Sequence, residues 1–321
     1  MFALRGIAVS LSIFAAVHGV LSVAVLLGWR RIWFWGQSYP ARSCADLLFI
    51  LRVAPFAIAT GVTLAFAVPS FLLLEPHTVD EPMGAVPLVL GSCGLAVILA
   101  GVWKAATALL RASQNIARWS SQGTVIESSE SRVGTSVRVL RISGAVPPLT
   151  AAGILQPSVW LSRAAEFVLS ERELDTALRH EGAHVRRLDN LRKLILRVVA
   201  FPGMAELESA WREATEMAAD DAAVSSASEA LDLAAAVIKL STLTPLQAPG
   251  ELTTALVHSP MESVNARVDR LITWDERWQN PTPAWSWKYS LCAAVVLVAT
   301  LALTYSELLV RMHAATEWLV R

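Results

Sequence analysis

From Gly6 to Gly28 the chain carries no Asp, Glu, Lys or Arg. An apolar run of that length is long enough to cross a bilayer, and in hydrocarbon it must satisfy its backbone within a helix. Its length, and the absence of a small-residue cleavage site after it, mark it as a retained span rather than a signal peptide. Three further runs follow: Leu47 to Leu74, interrupted by Arg52 and Pro55; Gly84 to Trp103; and Tyr289 to Val310, with Glu307 near its far end. Trp285, Trp287 and Tyr289 stand where the fourth run begins, as an interfacial aromatic belt would. The composition agrees, with 54% hydrophobic and only 17% charged residues, where soluble domains carry about 25% charged residues. The net charge is zero, which leaves no field to draw nucleic acid, so direct nucleic-acid binding is not expected. Cys44, Cys93 and Cys292 lie far apart in or beside apolar stretches. That spacing argues against a disulfide framework or a cysteine zinc site.

The cations set an orientation. Arg30, Arg31 and Arg42 lie between the first two runs, Lys104, Arg111 and Arg118 follow the third, and Arg277 and Lys288 precede the fourth. The loop between the second and third runs holds Glu75, Asp80 and Glu81 and no Lys or Arg. By the positive-inside rule the basic flanks are cytoplasmic, so both chain termini lie outside. Arg52 is the misfit: it either snorkels to the cytoplasmic edge or meets a functional partner inside the bundle.

Residues 111–284 are less apolar and read as a folded domain between residues 1–110, with three spans (about 6–28, 47–74 and 84–103), and residues 285–321, with a fourth span (about 289–310) and a short external tail. Ser120 to Gly134 is rich in Ser, Gly and Glu and reads as a loop. Ser136 to Ile142 alternates as a strand does, and Gly153 to Ser162 reads as an edge strand because of Pro157. Ser170 and Glu173 form a capping box that opens a helix running to about Val199, before Pro202 and Gly203. Further helices are expected over Ala205 to Ser225, Ser228 to Leu243 and Met261 to Thr273.

Within the first of those helices stands His180-Glu181-Gly182-Ala183-His184. Histidines at i and i+4 project from one helix face, so both imidazoles reach one zinc ion, and Glu181 at the edge of that face can take a proton from water held there. A catalytic zinc needs a third protein ligand. On the next helix, Glu216 and Asp220 share a face, which makes Glu216 the candidate ligand and Asp220 the candidate partner for a ligating imidazole. Glu213, one turn earlier, is the rival ligand.

The pieces VRVLRIS, GILQPSVWLS, LSERELDTALRHEGAHVRRLDN and EMAADDAAV resemble the BlaR/MecR family of integral-membrane zinc metallopeptidases. The likeness extends to the order of three spans, a zinc domain and a fourth span. It implies an α-helical membrane protein with four transmembrane helices and an α+β gluzincin-type zinc peptidase domain inserted between the third and fourth. It further implies a multi-pass protein of the bacterial inner membrane with a cytoplasmic protease domain. Its work would be regulated proteolysis of a protein or peptide such as a transcriptional repressor, with the strand at Gly153 to Leu161 as the edge where substrate pairs. The β-lactam sensors of that family carry a large extracellular domain after the fourth span. Here the sequence reaches Arg321 soon after it, so antibiotic sensing is not expected of this chain; a separate sensor partner or a second copy of the chain stands beside the bilayer and the substrate as a candidate partner. His258-Ser-Pro and Arg267-Val-Asp-Arg-Leu also resemble the heat-shock and CAAX-processing membrane zinc peptidases, where a late His or Arg stabilises the oxyanion. His258 is therefore a candidate transition-state donor.

Other polar residues have simpler readings. His18 reads as a satisfied residue of a span and His77 as a solvated loop residue. Arg186, Arg187, Arg192, Lys193 and Arg197 read as the solvated or membrane-facing side of the HExxH helix. Two alternatives to the regulatory protease stand beside it: a membrane quality-control protease, and a signal relay with no catalysis. The intact Glu181 speaks against the relay, since a structural metal site has no use for a general base.

Overall fold

The computed structural model describes residues 2–36, 38–75, 84–121, 125–129, 138–143, 147–199, 201–243, 252, 254–255, 261–274, 300 and 304–318. The protein is mostly helical, and among the described residues three helices are long and apolar enough to cross a membrane. The first is α1 (Phe2–Gly36). The second is α2 (Ala41–Val62), continued through a π-helical stretch at Thr63–Ala67 into α3 (Val68–Leu74). The third is α4 (Ala85–Ser121). Each extends beyond the apolar run that announces it, and α4 passes without a break from the third run into the polar middle of the sequence. The expected fourth span falls mostly outside the described residues. Residues 304–318 are helical, so the segment after Val310 is helix where a short tail was expected.

The π-helical stretch has an identifiable cause. Pro69 has no N–H to offer the carbonyl of Ala65, one turn back. That carbonyl accepts instead from the Tyr305 hydroxyl at 2.9 Å, as a freed backbone group in a span requires. Missing side chains bring α1 and α4 together: a Cβ on Gly94 would stand 2.6 Å from the Leu11 carbonyl oxygen. Small residues at such crossings let helix backbones touch.

The polar part carries a five-stranded mixed sheet in the order β1-β2-β4-β3-β5. Its strands are β1 (Val125–Ser129), β2 (Arg138–Ile142), β3 (Leu149–Ala152), β4 (Ser158–Ser162) and β5 (Thr254–Ala255). Two expectations change. β1 lies in the stretch read as a loop, held by antiparallel pairing with β2. β4, read as the substrate-facing edge, is interior, parallel to β2 and antiparallel to β3. Pro157 stands just before the strand starts and so removes no bond from its ladder.

Helices follow: α5 (Arg163–Val168), α6 (Glu171–Arg186), α7 (Asp189–Val198), α8 (Ala205–Ala223), α9 (Ala227–Thr242) and α10 (Met261–Ile272). The capping box forms, with the Glu173 N–H donating to Ser170 Oγ and the Ser170 N–H to Glu173 Oε2. The helix expected from Glu171 to Val199 is broken in two. Leu188 adopts a left-handed conformation at φ 55°, an uncommon state for a residue with a branched side chain, and α7 restarts at Asp189. Apolar residues of β3, β4, α6, α9 and α10 share one core. A second core joins Trp29 of α1 and Ala45 and Leu48 of α2 to Leu207, Trp211 and Ala214 of α8.

The corner between α7 and α8 enters the bundle. Phe201 meets the His18 ring edge-on at 5.4 Å, and His18 also packs against Phe14 and Phe56. Arg52 does not snorkel: it is buried, and its Nη1 donates to the Val199 carbonyl at the end of α7, 2.6 Å away. α4 closes on the same point, since a Cβ on Gly101 would lie only 2.0 Å from the Val198 carbonyl oxygen.

Candidate metal centre

α6 and α8 face each other with His180 and His184 on one and Glu216 and Asp220 on the other. His180, His184 and Asp220 are buried, and Glu216 is nearly so. The Nε2 atoms of the two histidines are 3.1 Å apart. Each lies 3.6 Å from an oxygen of Glu216. The two oxygens differ, Oε2 facing His180 and Oε1 facing His184, and all three separations are close to the roughly 3.3 Å between ligand atoms of a zinc ion bound tetrahedrally at about 2.0–2.1 Å. Glu213 is exposed on the outer side of α8 and takes no part in this cluster.

Each imidazole is fixed from behind. His180 Nδ1 lies 3.0 Å from Asp220 Oδ1, and His184 Nδ1 lies 2.7 Å from Asp189 Oδ2. A carboxylate hydrogen-bonded to Nδ1, as Asp189 is to His184, holds the proton there and presents the Nε2 lone pair inward, the usual arrangement behind a metal-binding histidine; Asp220 stands at the same place behind His180. Asp189 was not anticipated from the sequence. It reaches back to His184 only because the helix breaks at Leu188.

Arg267 of α10 completes the acidic side. It is buried; its Nε and Nη2 donate to the two oxygens of Asp220 at 2.9 and 2.7 Å, and its Nη1 lies 3.1 Å from Glu216 Oε2. The guanidinium is thus committed to two carboxylates rather than held in reserve for an oxyanion. Burial works against ionised carboxyls, but Glu216 is held down at about 2 by the charges on His184, Arg267 and His180 and the His180 hydrogen bond. Asp220 is likewise depressed, chiefly by Arg267 against the cost of burial. Burial pushes His180 down, yet the acceptor carboxylates of Asp220 and Glu216 beside it outweigh that and hold the imidazole at about 9. His180, His184 and Glu216 together could hold a metal ion, with Glu216 kept ionised.

Glu181 is fully buried beside the pair of histidines, and its Oε2 accepts from the Ala151 N–H of β3 at 3.0 Å. Burial holds its carboxyl above the usual range, with the two imidazoles opposing and Glu216 adding to the rise. Asn190, the second residue of α7, donates to the Ala151 and Gly153 carbonyls at 3.2 and 3.1 Å. β3 is thereby pinned to both arms of the broken helix. Of the other residues singled out from the sequence, Arg187 is not solvated: its side chain is only 10% exposed. His77 and His258 lie outside the described residues.

No protein-family model matches the chain, and no curated protein matches it.

Proposed function

We propose that the chain is an integral-membrane zinc metalloendopeptidase, with His180, His184 and Glu216 as ligands and Glu181 as general base. The observation that carries the proposal is the cluster itself: the two histidine Nε2 atoms 3.1 Å apart and each 3.6 Å from one of the two Glu216 oxygens, with a carboxylate behind each imidazole. Three protein donors leave a tetrahedral ion one position for water or substrate, which distinguishes a catalytic from a structural site. Zinc held there supplies Lewis acidity to the peptide carbonyl and lowers the pKa of water to about 7. The rest of the work falls to the chain. Asp220 and Asp189 keep both histidines in the ligating tautomer. Glu181, aimed by the Ala151 N–H, takes the proton from water and returns it to the departing amine.

The fuller reading adds a fourth span near residues 289–310 and a gluzincin-type domain on the cytoplasmic side. The site lies against the end of the bundle that carries Arg30, Arg31 and Arg42, and Arg30 itself pairs with Glu206 of α8 at 2.6 Å. The other end carries Arg5, paired with Glu75 at 3.2 Å, so the larger number of Arg residues favours the site's side as cytoplasmic. The likeness to the BlaR/MecR peptidases points to a regulatory protein, such as a repressor, as substrate.

Metal analysis of the purified chain tests this reading. Wild type should carry one zinc per molecule, His184→Ala and Glu216→Gln should lose it, and Glu213→Gln should retain it. Retention by His184→Ala would remove the assignment, and loss in Glu213→Gln alone would exchange the third ligand.

A further inference from the structure

Arg187 closes α6 at a crowded place. Its Nε, Nη1 and Nη2 are shielded from solvent, and among the described residues none of them makes a hydrogen bond. A buried guanidinium without hydrogen bonds is costly unless charge compensates. Here two carboxylates bracket it. Nε lies 3.6 Å from Asp189 Oδ1, and Nη2 lies 3.6 Å from Asp46 Oδ1. These carboxylates belong to different parts of the molecule. Asp46 sits near the start of the apolar helix α2, and Asp189 begins α7 and spends its other oxygen on His184 Nδ1. Asp46 is itself anchored, because Arg192 of α7 donates to its Oδ1 at 2.5 Å.

We infer that Asp46, Arg187 and Asp189 form a relay through which the membrane helix α2 sets the position of the metal ligand His184, and that Arg187 is a positioning residue for the metal centre. The inference rests on the metal-peptidase reading above. Two features favour a relay over a static latch. The gaps on both sides of Arg187 are ion-pair contacts, and closing them to hydrogen-bond length takes about 0.6 Å. A small displacement of α2 therefore changes the grip on Asp189 through contacts that are not yet hydrogen bonds. α2 also packs Ala45 and Leu48 against α8, the helix that bears Glu216. One membrane helix thus touches both arms of the metal clamp, by charge on the α6–α7 corner and by apolar packing on α8. A signal that shifts α2 would alter the spacing of His184 relative to Glu216. Tightly packed elements transmit such shifts as discrete rearrangements.

The test uses the full chain in detergent loaded with Co2+, whose visible bands report ligand geometry. Affinity is read by competition with a chelator, and melting is followed without metal. Asp46→Asn and Arg187→Gln should each weaken Co2+ binding about tenfold, the low end for loss of an outer partner, and should shift the bands. The double variant should be no worse than the poorer single one, since both cut the same chain of contacts. Asp46→Glu, which keeps the carboxylate, should stay within about threefold of wild type on the same reasoning. A merely structural role would lower the melting point and leave affinity and bands alone. If Arg187→Gln does not fold, Asp46→Asn decides, because the Asp46 side chain is 39% exposed and tolerates exchange. A folded Asp46→Asn with wild-type affinity and bands overturns the relay while the metal centre stands. A wild type that takes up no Co2+ overturns the metal centre, and the relay with it.

Discussion

Replacing Arg267 by Leu removes the one cation that α10 places against Glu216 and Asp220. The structure fixes the size of the effect. Arg267 is 3% exposed and makes three contacts of 2.7 to 3.1 Å to the two carboxylates. Both acids would be left buried, with the histidines and, for Glu216, Lys193 as the cations nearby. Breaking a buried pair by removing one partner costs about 3–5 kcal/mol. For a domain of this size that corresponds to a fall on the order of 10 °C in melting midpoint. The loss should be largest without metal, because a bound dication would sit on Glu216 and on the imidazole that Asp220 contacts, and would offset part of the missing charge. Melting followed by tryptophan fluorescence, with chelator and then with zinc, reads both states. Adding Asp220→Asn to Arg267→Leu should recover part of the loss in chelator, because the stranded charge is gone. A metal-free midpoint within about 2 °C of wild type would refute the reasoning, as would an equal loss with and without zinc.

Gly101→Ala should destabilise by about 1–3 kcal/mol, the usual cost of overpacking, because its Cβ would meet the Val198 carbonyl oxygen at 2.0 Å; an unchanged melting midpoint would show that α4 and α7 are not in close contact. A topology reporter fused after Arg118 should read as cytoplasmic and one at Thr78 as external. An external reading at Arg118 would put the metal centre on the other side of the membrane.

The site was legible in the sequence where its geometry is local. Residues four apart on a helix share a face, so His180 with His184 and Glu216 with Asp220 could be paired before any fold was known. The Ser170–Glu173 capping box marked where α6 begins for the same reason. What the sequence concealed depends on tertiary contact. Arg267 is 47 residues from Asp220, and nothing in its surroundings announces a buried partner. Asp189 was hidden by a helix break that carries neither Gly nor Pro. Leu188 takes its left-handed conformation where the chain turns back to His184, and that contact overrides a sequence that favours helix throughout. The sheet order misled through Pro157, a residue that suggests an edge but here only precedes the strand. β1 was missed because Ser and Glu are poor strand formers, and pairing with β2 supplies what propensity lacks. Arg187 was misread, because a cation near an apolar run suggests solvent; Arg52, left open between snorkelling and a partner inside the bundle, has the partner, and both are shielded where the polar domain meets the bundle.

Glu181→Gln tests the central claim most directly. Gln nearly matches Glu in size and can still accept from the Ala151 N–H, so α6 should fold and hold its metal. It cannot take a proton from water, and losing a general base typically costs about two to four decades in rate. The variant and wild type would be co-expressed with a candidate repressor, its fragmentation followed, and zinc measured in the same preparations. The account predicts full zinc content in both proteins and cleavage by wild type alone. A variant that keeps its zinc and cuts as fast as wild type would contradict it.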